Sequence, residues 1–315
     1  MPGAMAYGAA YCKVRVIKSN YDTNFINDHI IHSADVTANL AAASRIFNVK
    51  ADDINSVEYD IYQRHIDNTI KIFKTLRSAE QSIIKDYFNY FDIMNLKKKI
   101  RTILSGLSVR DEKRYFDLRG YSSIPTKLYG AVDKMDELIK ELKGTPYLNA
   151  LRKGMLYFTE QQDISHFDIE LNKLLYSKAS EQIKIWRIFN EFQLTDFIFK
   201  LKEVYETPED DVLHFIPKYG RFRDAKFLRN IYNLDAEQAK KLVLSAASIH
   251  STSGNSQIML LSLARKSFSA YPFSLDVIFS FVFYERIMIK IIASGLFAHY
   301  LKSTSDYEEA ENVFS

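Results

Sequence analysis

Apolar residues recur at intervals of three and four along most of the chain, the spacing that places them on one face of an α-helix. Four stripes of this kind comprise Tyr59, Tyr62, Ile66, Ile70 and Phe73; Ile84, Phe88, Phe91, Met94, Ile100, Ile103 and Leu104; Leu128, Val132, Met135, Leu138, Ile139 and Leu142; and Leu242, Val243 and Ala246. No run of β-branched residues alternates strictly with polar ones, and no Asn-Gly or Asp-Gly turn joins two such runs. The sequence therefore predicts an all-α fold.

Helix ends and loops are marked by local residues. Asp235, with Gln238 three residues later, forms the capping-box pattern that starts a helix. Gly144 and Pro146 end one, because Gly accepts the left-handed conformation and Pro cannot continue the helix. Loops are predicted near Lys18–Thr23, Val109–Pro125, Glu206–Tyr219 and His250–Gln257. The tail Ser303–Ser315 is rich in Glu and Ser and is predicted to be mobile.

The most apolar stretch of the chain, Phe273–Tyr300, is a candidate membrane span. Such a span needs about 20 nearly uncharged residues, whereas Glu285, Arg286 and Lys290 fall close together here. A charge at the bilayer centre costs about 2.5–3.5 kcal/mol on insertion scales. We therefore interpret the stretch as a buried helix of a bundle. The N-terminus lacks the pattern of a secretory signal, and Met5 is a candidate natural start within residues 1–6.

Composition limits the class of protein further. The 315 residues are 47% hydrophobic and 14% aromatic, which excludes a wholly disordered or collagen-like chain. The net charge of +3 is too balanced for a protein that acts mainly on phosphate backbones. The single cysteine, Cys12, excludes a disulfide framework and a Cys-rich zinc site, and it fits a reducing, cytosolic setting. The length matches two or three domains or one elongated body.

Three segments of the chain look alike when they are stacked. They begin at Phe91, Phe189 and Phe283. Each opens with an aromatic residue, places an acid one or two residues later, and continues as an amphipathic helix. Matching Asn95, Gln193 and Ile287 gives spacings of 98 and 94 residues, longer than the roughly 20–50 residues of common solenoid repeats. The alternative is chance similarity in a Phe- and Tyr-rich helical protein. The repeat predicts three similar helical lobes, 7–108, 109–206 and 207–302, followed by the tail 303–315.

A search for catalytic chemistry finds no clear site. The chain contains no phosphate-binding G-x-x-x-x-G-K-[ST] loop and no dinucleotide-binding glycine pattern after a strand. His29 and His32 are three residues apart, so one helix face could present both to a metal, but no further ligand is evident. We interpret them as ordinary surface or capping histidines, and Cys12 as a small core residue rather than a reactive thiol. The sequence indicates no catalytic residue, cofactor or metal site.

Two basic clusters are the strongest charge features. In the first, Lys97 and Arg101 are four residues apart and share a helix face, while Lys98 and Lys99 fan away from it. The second consists of Lys218, Arg221, Arg223, Lys226 and Arg229, interleaved with Phe222 and Phe227. A solvated surface is the default interpretation, and a surface facing an acidic protein partner comes second. Nucleic-acid binding usually asks for a more basic domain with stacking aromatics.

The run Asp92-Ile93-x-Asn95-Leu96-Lys97, within the aromatic-rich segment Phe88–Lys97, resembles the C subunits of archaeal-type rotary ATPases, a family that includes the d subunits of eukaryotic V-type ATPases. Three further stretches agree in order with family landmarks: Tyr7–Arg15, Gly144–Tyr147 and Tyr271–Gly295. The resemblance thus covers about Tyr7 to Tyr300. Two departures are that Gln193 and Ile287 replace the motif Asn in the later repeats, and that Val109–Pro125 and Glu206–Arg229 carry no family landmark.

The resemblance implies three lobes with pseudo-threefold symmetry that form a funnel, in a non-catalytic coupling protein without a cofactor. Its partners would be the D and F subunits of the rotor stalk and the membrane proteolipid ring, at the cytoplasmic face of the cell membrane. The complex would link ATP to proton or ion transport, and the chain would be a monomer outside it. No nucleic acid or small-molecule substrate is expected. Lys97, Lys98 and Arg101 are the candidate partner-binding residues.

Three alternatives remain open from the sequence. The first is a general helical scaffold or adaptor unrelated to rotary motors. The second is a helical hydrolase or metal enzyme that uses His29, His32 and neighbouring acids. The third is nucleic-acid binding through Lys218–Arg229, which would depend steeply on salt.

Overall fold

A computed structural model describes residues 7–19, 54–77, 80–106, 115–125, 127–245, 256–270 and 274–303. Within these ranges every regular element is helical and no strand occurs, which confirms the predicted all-α fold. Residues 1–6, the pair His29 and His32, and the predicted tail after Ser303 lie outside the described residues.

The described ranges contain fourteen α-helices, numbered here in chain order. They are α1 (Gly8–Ser19), α2 (Ile54–Phe73), α3 (Gln81–Leu104), α4 (Lys127–Ala131), α5 (Met135–Glu141), α6 (Tyr147–Gln161), α7 (Ser165–Lys173), α8 (Lys178–Gln182), α9 (Lys184–Phe199), α10 (Glu209–Phe215), α11 (Ala225–Asn233), α12 (Ala236–Ser245), α13 (Ser256–Ala270) and α14 (Leu275–Ser303). A π-helical turn, Lys200–Val204, follows α9, and a 3-10 turn, Gly220–Arg223, precedes α11.

The apolar stripes correspond to helices with one correction. The first two stripes become α2 and α3. The third stripe is not one helix, because the backbone at Lys134 is extended (φ −128°, ψ 146°) and separates α4 from α5. Its residues Leu128, Val132 and Leu138 are nevertheless all buried. The apolar spacing thus identified the buried side chains correctly but missed the break in the backbone.

The predicted helix ends at Gly144 and Asp235 agree with the structure, and one predicted loop does not. Most of the residues in the predicted loops Lys18–Thr23 and His250–Gln257 lie outside the described residues. Gly144 has a left-handed φ of +86° after α5, and the Asp235 carboxylate accepts the Gln238 N–H at 2.8 Å where α12 begins. The predicted loop Glu206–Tyr219 instead contains α10. Three acids occupy the first turn of α10, where the helix dipole stabilises negative charge.

The chain divides into two compact units. Unit 1 is formed by residues 1–77, 183–192 and 235–315, and unit 2 by residues 78–182 and 193–234. Helix α9 contributes residues 184–192 to unit 1 and residues 193–199 to unit 2. The boundaries of the three lobes, 7–108, 109–206 and 207–302, stay a prediction.

Unit 1 is built around α14. Every residue from 277 to 289 is buried, as predicted for the apolar stretch. The Trp186 ring stacks on Phe279 with ring centroids 5.1 Å apart, and Phe189 lies 4.6 Å from Phe283. Phe73 of α2 joins the same cluster at 5.3 Å from Phe279. None of the helices in the described ranges is long and apolar enough to cross a membrane.

Unit 2 has its own core between α3, the irregular segment 115–125 and helices α4 to α7. The core residues are Ile93, Leu96, Ile100, Tyr115, Ile124, Leu128, Tyr129, Val132, Met135, Leu138, Leu142, Tyr147, Ala150, Leu151, Phe167 and Leu171. Helices α6 and α7 approach closely at Gly154, where an added Cβ would lie 2.8 Å from Phe167 Cγ. This core fixes the position of the polar residues on α3.

Candidate functional site

The motif Asp92-Ile93-x-Asn95-Leu96-Lys97 lies in the middle of α3. Its apolar members Ile93 and Leu96 point into the core of unit 2 and are buried. Asp92 and Asn95 are buried as well, although both are polar. Buried polar groups need hydrogen-bond partners to offset their lost hydration.

Asn95 binds the backbone of the segment 115–125. Its Nδ2 donates to the Phe116 carbonyl oxygen at 3.0 Å, and its Oδ1 accepts the Phe116 N–H at 2.9 Å. The segment has no regular secondary structure, so its buried backbone groups depend on such side-chain partners. One amide side chain therefore fixes both backbone groups of Phe116 to α3.

Asp92 holds the same segment and also α6. Its carboxylate accepts the Ser123 N–H and the Tyr147 hydroxyl, each at 3.0 Å, and the Ser122 hydroxyl. Burial raises the pKa of Asp92 to about 6, and the three hydrogen bonds oppose that rise. Burial, together with the Asp92 charge, also raises the pKa of Tyr147. Asp92 and Asn95 thus act as structural anchors for a part of the chain in which the sequence offered no landmark.

Lys97, the last residue of the motif, belongs to a group of charges that we call the Asp168 cluster: Lys97, Arg101, Asp168 and Lys200. Arg101 donates to the Asp168 carboxylate at 2.9 Å, and the ammonium groups of Lys97 and Lys200 lie 3.6 and 3.5 Å from it. The prediction that Lys97 and Arg101 share a helix face is confirmed. Three cations from α3 and the π-helical turn therefore surround one carboxylate of α7.

The members of the Asp168 cluster differ in exposure. The side chains of Arg101 and Lys200 are 53% and 41% exposed, whereas those of Lys97 and Asp168 are 17% and 9% exposed. Lys97 also donates to the Asn172 side-chain oxygen at 2.8 Å. Burial lowers the pKa of Lys97 to about 8; the Asp168 charge opposes this, and the positive charges of Arg101 and Lys200 add to it.

Lys98 and Lys99, the remaining lysines of the basic run, differ in exposure. Lys98 is exposed, and its ammonium lies 5.8 Å from the centre of the Tyr115 ring. The expectation of a solvated surface is wrong for Lys99, whose side chain is 1% exposed and lies 3.5 Å from the exposed carboxylate of Asp133. Helix geometry turns Lys99 toward the core, where its stem and its ammonium group are both covered and the ammonium faces the Asp133 carboxylate.

The second basic cluster uses its aromatic residues for packing. Phe222 is buried and makes an edge contact with Phe227 at 5.3 Å. The Arg221 guanidinium lies 5.1 Å from the centre of the Phe227 ring, and Arg223 forms an ion pair with Glu181 at 2.6 Å. Phe222 is therefore a core residue and not an open stacking surface for bases.

Unit 1 contains a buried polar group between α2 and α14. The Glu285 carboxylate lies 2.7 Å from His65 Nδ1 and accepts the Asn68 amide at 3.0 Å. All three side chains are buried. Two elements far apart in the sequence are thus joined by hydrogen bonds inside the apolar core of the unit.

Two further candidates from the sequence can be compared with the described residues. Cys12 is exposed on α1, so its interpretation as a core residue is wrong, because Ala10 and Val14 form the buried side of that helix. No group of three or more His, Cys, Asp or Glu side chains in the described ranges is arranged to hold a metal ion.

Sequence reasoning identified Lys97 and Arg101 but missed Asp168 and Lys200. Asp168 lies 67 residues from Arg101 along the chain, so no local spacing connects the two. Ser122 and Ser123 were missed for the same reason, because they meet Asp92 only through the tertiary fold.

These features define an all-helical protein with a motif that ties several elements to one helix. The chain belongs to the ATP synthase (C/AC39) subunit family, whose sequence pattern matches residues 44–298. It is similar to the C subunit of the A-type ATP synthase of Methanocaldococcus jannaschii, with 27% identity over 128 residues. That match covers 38% of this chain and 32% of the relative. The resemblance noted in the motif is thereby confirmed at the level of the family.

Proposed function

We propose that this chain is the non-catalytic component of an A- or V-type rotary ATPase that connects the rotor shaft, formed by the D and F subunits, to the membrane proteolipid ring. The observation that carries the proposal is the family match over residues 44–298. In this role the chain passes rotation between ATP chemistry and proton or ion transport. It works as a peripheral component at the cytoplasmic face of the cell membrane, and as a monomer outside the complex.

Dense packing inside each unit supports a role in transmitting torque. A coupling element must resist deformation, and close-packed aromatic interiors have low compressibility. Unit 1 carries the rings of Trp186, Phe279 and Phe283 around α14. In unit 2, Asp92 and Asn95 tie the irregular segment 115–125 to α3, so this segment is held by side-chain hydrogen bonds where it has no helical ones.

Equivalent positions in the three similar segments support the proposed funnel of three lobes. Phe91, Phe189 and Phe283 are each buried within a helix. The acids that follow them, Asp92, Glu191 and Glu285, are buried too. Carboxylates are almost never fully buried unless they are paired, so a buried acid one residue after Phe91 and two residues after Phe189 and Phe283 supports a common origin of the three segments. An ancestral helical unit present in three copies accounts for the pattern.

Arg101 and Lys98 are the proposed partner-facing residues of the basic run, since both are exposed on α3. Lys97, also a candidate from the sequence, is largely covered and contacts the same Asp168 carboxylate as Arg101, so it adds positive charge to the site without facing the partner directly. No cofactor, nucleic acid or small-molecule substrate is part of the proposal.

Capture by the rotor stalk tests this function. The purified full-length chain is passed over immobilised D–F complex from the same organism, with an unrelated helical protein of similar charge as the control. We expect this chain to be retained in a one-to-one ratio with the D–F complex and the control protein to pass through. If the chain is not retained even at low ionic strength, where charge attraction is strongest, the coupling role is refuted and a general helical scaffold is favoured.

A further inference from the structure

We propose that the Asp168 cluster binds an acidic side chain of the rotor-stalk partner, with Asp168 holding the cations in place as an internal substitute for that partner. The proposal rests on the proposed function, because it assumes that the stalk binds this chain. It adds the contact point, the chemistry of the group that is recognised, and a role for a residue that no sequence motif marks.

The Asp168 cluster carries more positive than negative charge. Lys97, Arg101 and Lys200 lie within 3.6 Å of a single carboxylate group. One carboxylate neutralises one of the three cations, so the cluster keeps an excess of positive charge. Like charges held this close repel one another, and a second carboxylate would relieve that repulsion.

The exposed members of the Asp168 cluster are cations, and its carboxylate is covered. Arg101 and Lys200 are about half exposed, whereas Lys97 and Asp168 lie beneath them. Arg101 directs one N–H at Asp168, and its guanidinium carries five donors in a planar fork. The outer part of that fork is therefore open to a second carboxylate, which Arg binds well with two parallel hydrogen bonds.

The surroundings of the Asp168 cluster favour a carboxylate over a phosphate group as its ligand. Phosphate sites in proteins commonly use the free N–H groups at a helix N-terminus. Helix α7 carries Asp168 in its first turn, but its Ser165 N–H already donates to Asp163 at 2.8 Å. The cluster therefore offers side-chain cations arranged around a carboxylate, the chemistry of an ion pair between proteins.

The internal carboxylate also explains how the site is held ready. Without Asp168 the three cations would spread apart, and binding would have to bring them together again. With Asp168 in place they are already grouped, which lowers the cost of ordering them on assembly. The same carboxylate competes with the partner for the cations, so it limits the affinity.

Charge-neutral variants of the full-length chain test the proposal by their affinity for the D–F complex. Arg101→Gln and Lys200→Gln should each weaken binding about tenfold at low salt and lower its salt dependence. Asp168→Asn removes the competing charge but keeps the size of the side chain and an oxygen that can accept the Arg101 N–H, so the cations stay grouped and binding should tighten several-fold. Lys143→Gln is the matched control, because Lys143 is exposed in the same unit and lies outside both basic clusters.

Each outcome separates the two proposals. If the wild-type chain does not bind the D–F complex, the proposed function fails. If it binds and the Arg101 and Lys200 variants bind equally well, the stalk is a partner but the Asp168 cluster is not its contact. If Asp168→Asn weakens binding as much as Arg101→Gln does, with helicity unchanged in all variants, the cluster is only a structural support. If the Arg101 and Lys200 variants bind the stalk as the wild type does but no longer bind vesicles containing phosphatidylglycerol, the cluster binds lipid and the proposal is overturned.

Discussion

At the scale of single residues, Asp92 makes folding sensitive to pH. Burial raises its pKa from 3.8 to about 6, so the folded chain binds this proton more tightly than the unfolded chain does. The contribution of Asp92 to stability is therefore most favourable below about pH 4 and falls as the pH rises to about 6. The shift corresponds to about 3 kcal/mol at neutral pH.

Asp92→Asn removes this titration while keeping an oxygen that accepts the Ser123 N–H. The wild type loses local stability as the pH rises from 4 to 6, and the variant does not. The difference between them should therefore grow by up to about 3 kcal/mol over this range, in favour of the variant, and stay constant above pH 6. Hydrogen exchange of peptides that cover residues 115–125 measures the effect. A difference between the two proteins that does not change with pH would contradict the assignment.

Glu285 provides a second test, in unit 1. Glu285→Ala deletes the acceptor that joins His65 and Asn68 of α2 to α14, so we expect a loss of about 1–3 kcal/mol in the free energy of unfolding. Glu285→Gln keeps one acceptor oxygen and should lose less. Urea unfolding followed by the fluorescence of Trp186, which lies in the core of this unit, measures the loss. Equal stability of the Ala variant and the wild type would refute a structural role for this group.

The sequence predicted residue roles only where the relevant contacts are local. Gly144 and the Asp235–Gln238 cap were correct because each depends on neighbours within a few residues. Lys99 and Cys12 were placed wrongly, since their exposure depends on how the rest of the chain packs against α3 and α1. The partners of Asp92 and Asn95 could not be predicted at all, because helical periodicity contains no information on which distant segment meets a buried polar group.

At the scale of elements, the close approach of α6 and α7 depends on Gly154. A Cβ at this position would lie 2.8 Å from Phe167 Cγ, so the Phe167 ring, which is buried in the core of unit 2, would have to shift. Gly154→Ala should therefore lower the free energy of unfolding by about 1–3 kcal/mol, the usual cost of overpacking. Increased hydrogen exchange in residues 147–173 reports the loss.

Gly8→Ala is the matched control for this substitution. Gly8 is also in a helix, but nothing lies within 4 Å of the added Cβ. Alanine has the higher helix propensity, so this variant should be neutral or more stable by up to about 1 kcal/mol. If both variants behave alike, the effect at Gly154 comes from propensity and not from contact with Phe167.

The helices themselves were largely predictable, whereas their breaks were not. The apolar stripes of α2 and α3 and the apolar stretch of α14 lie in helices that are each twenty residues or longer, which is long enough for the apolar pattern to predict a helix. The stripe from Leu128 to Leu142 continues across an extended residue, because both short helices turn their apolar residues toward the same core. Periodicity reports which side chains are buried, so it cannot show where the backbone leaves the helix while burial continues.

Across the chain, the proposed threefold repeat would account for the buried aromatic residues and buried acids that recur in the segments beginning at Phe91, Phe189 and Phe283. Each segment keeps a buried aromatic residue and a buried acid one or two residues after it, yet the residue four positions after the aromatic has a different role in each segment. Asn95 binds the Phe116 backbone, Gln193 contacts Asp196 in its own helix at 3.5 Å, and Ile287 is an apolar core residue. Retained packing with divergent polar roles is what we expect if the proposed duplication was followed by specialisation of each copy.

Small-angle scattering of the isolated chain tests the proposed funnel. A compact protein of this length has a radius of gyration of about 20 Å. Three lobes around a central opening place more mass far from the centre, so we expect a larger value and a distance distribution skewed toward long distances. The measurement is made on the full-length monomer, with a compact helical protein of similar mass as the control. A value of about 20 Å with a symmetric distribution would rule out a hollow hub wide enough to hold a shaft, since an α-helix with its side chains is already about 10–12 Å across.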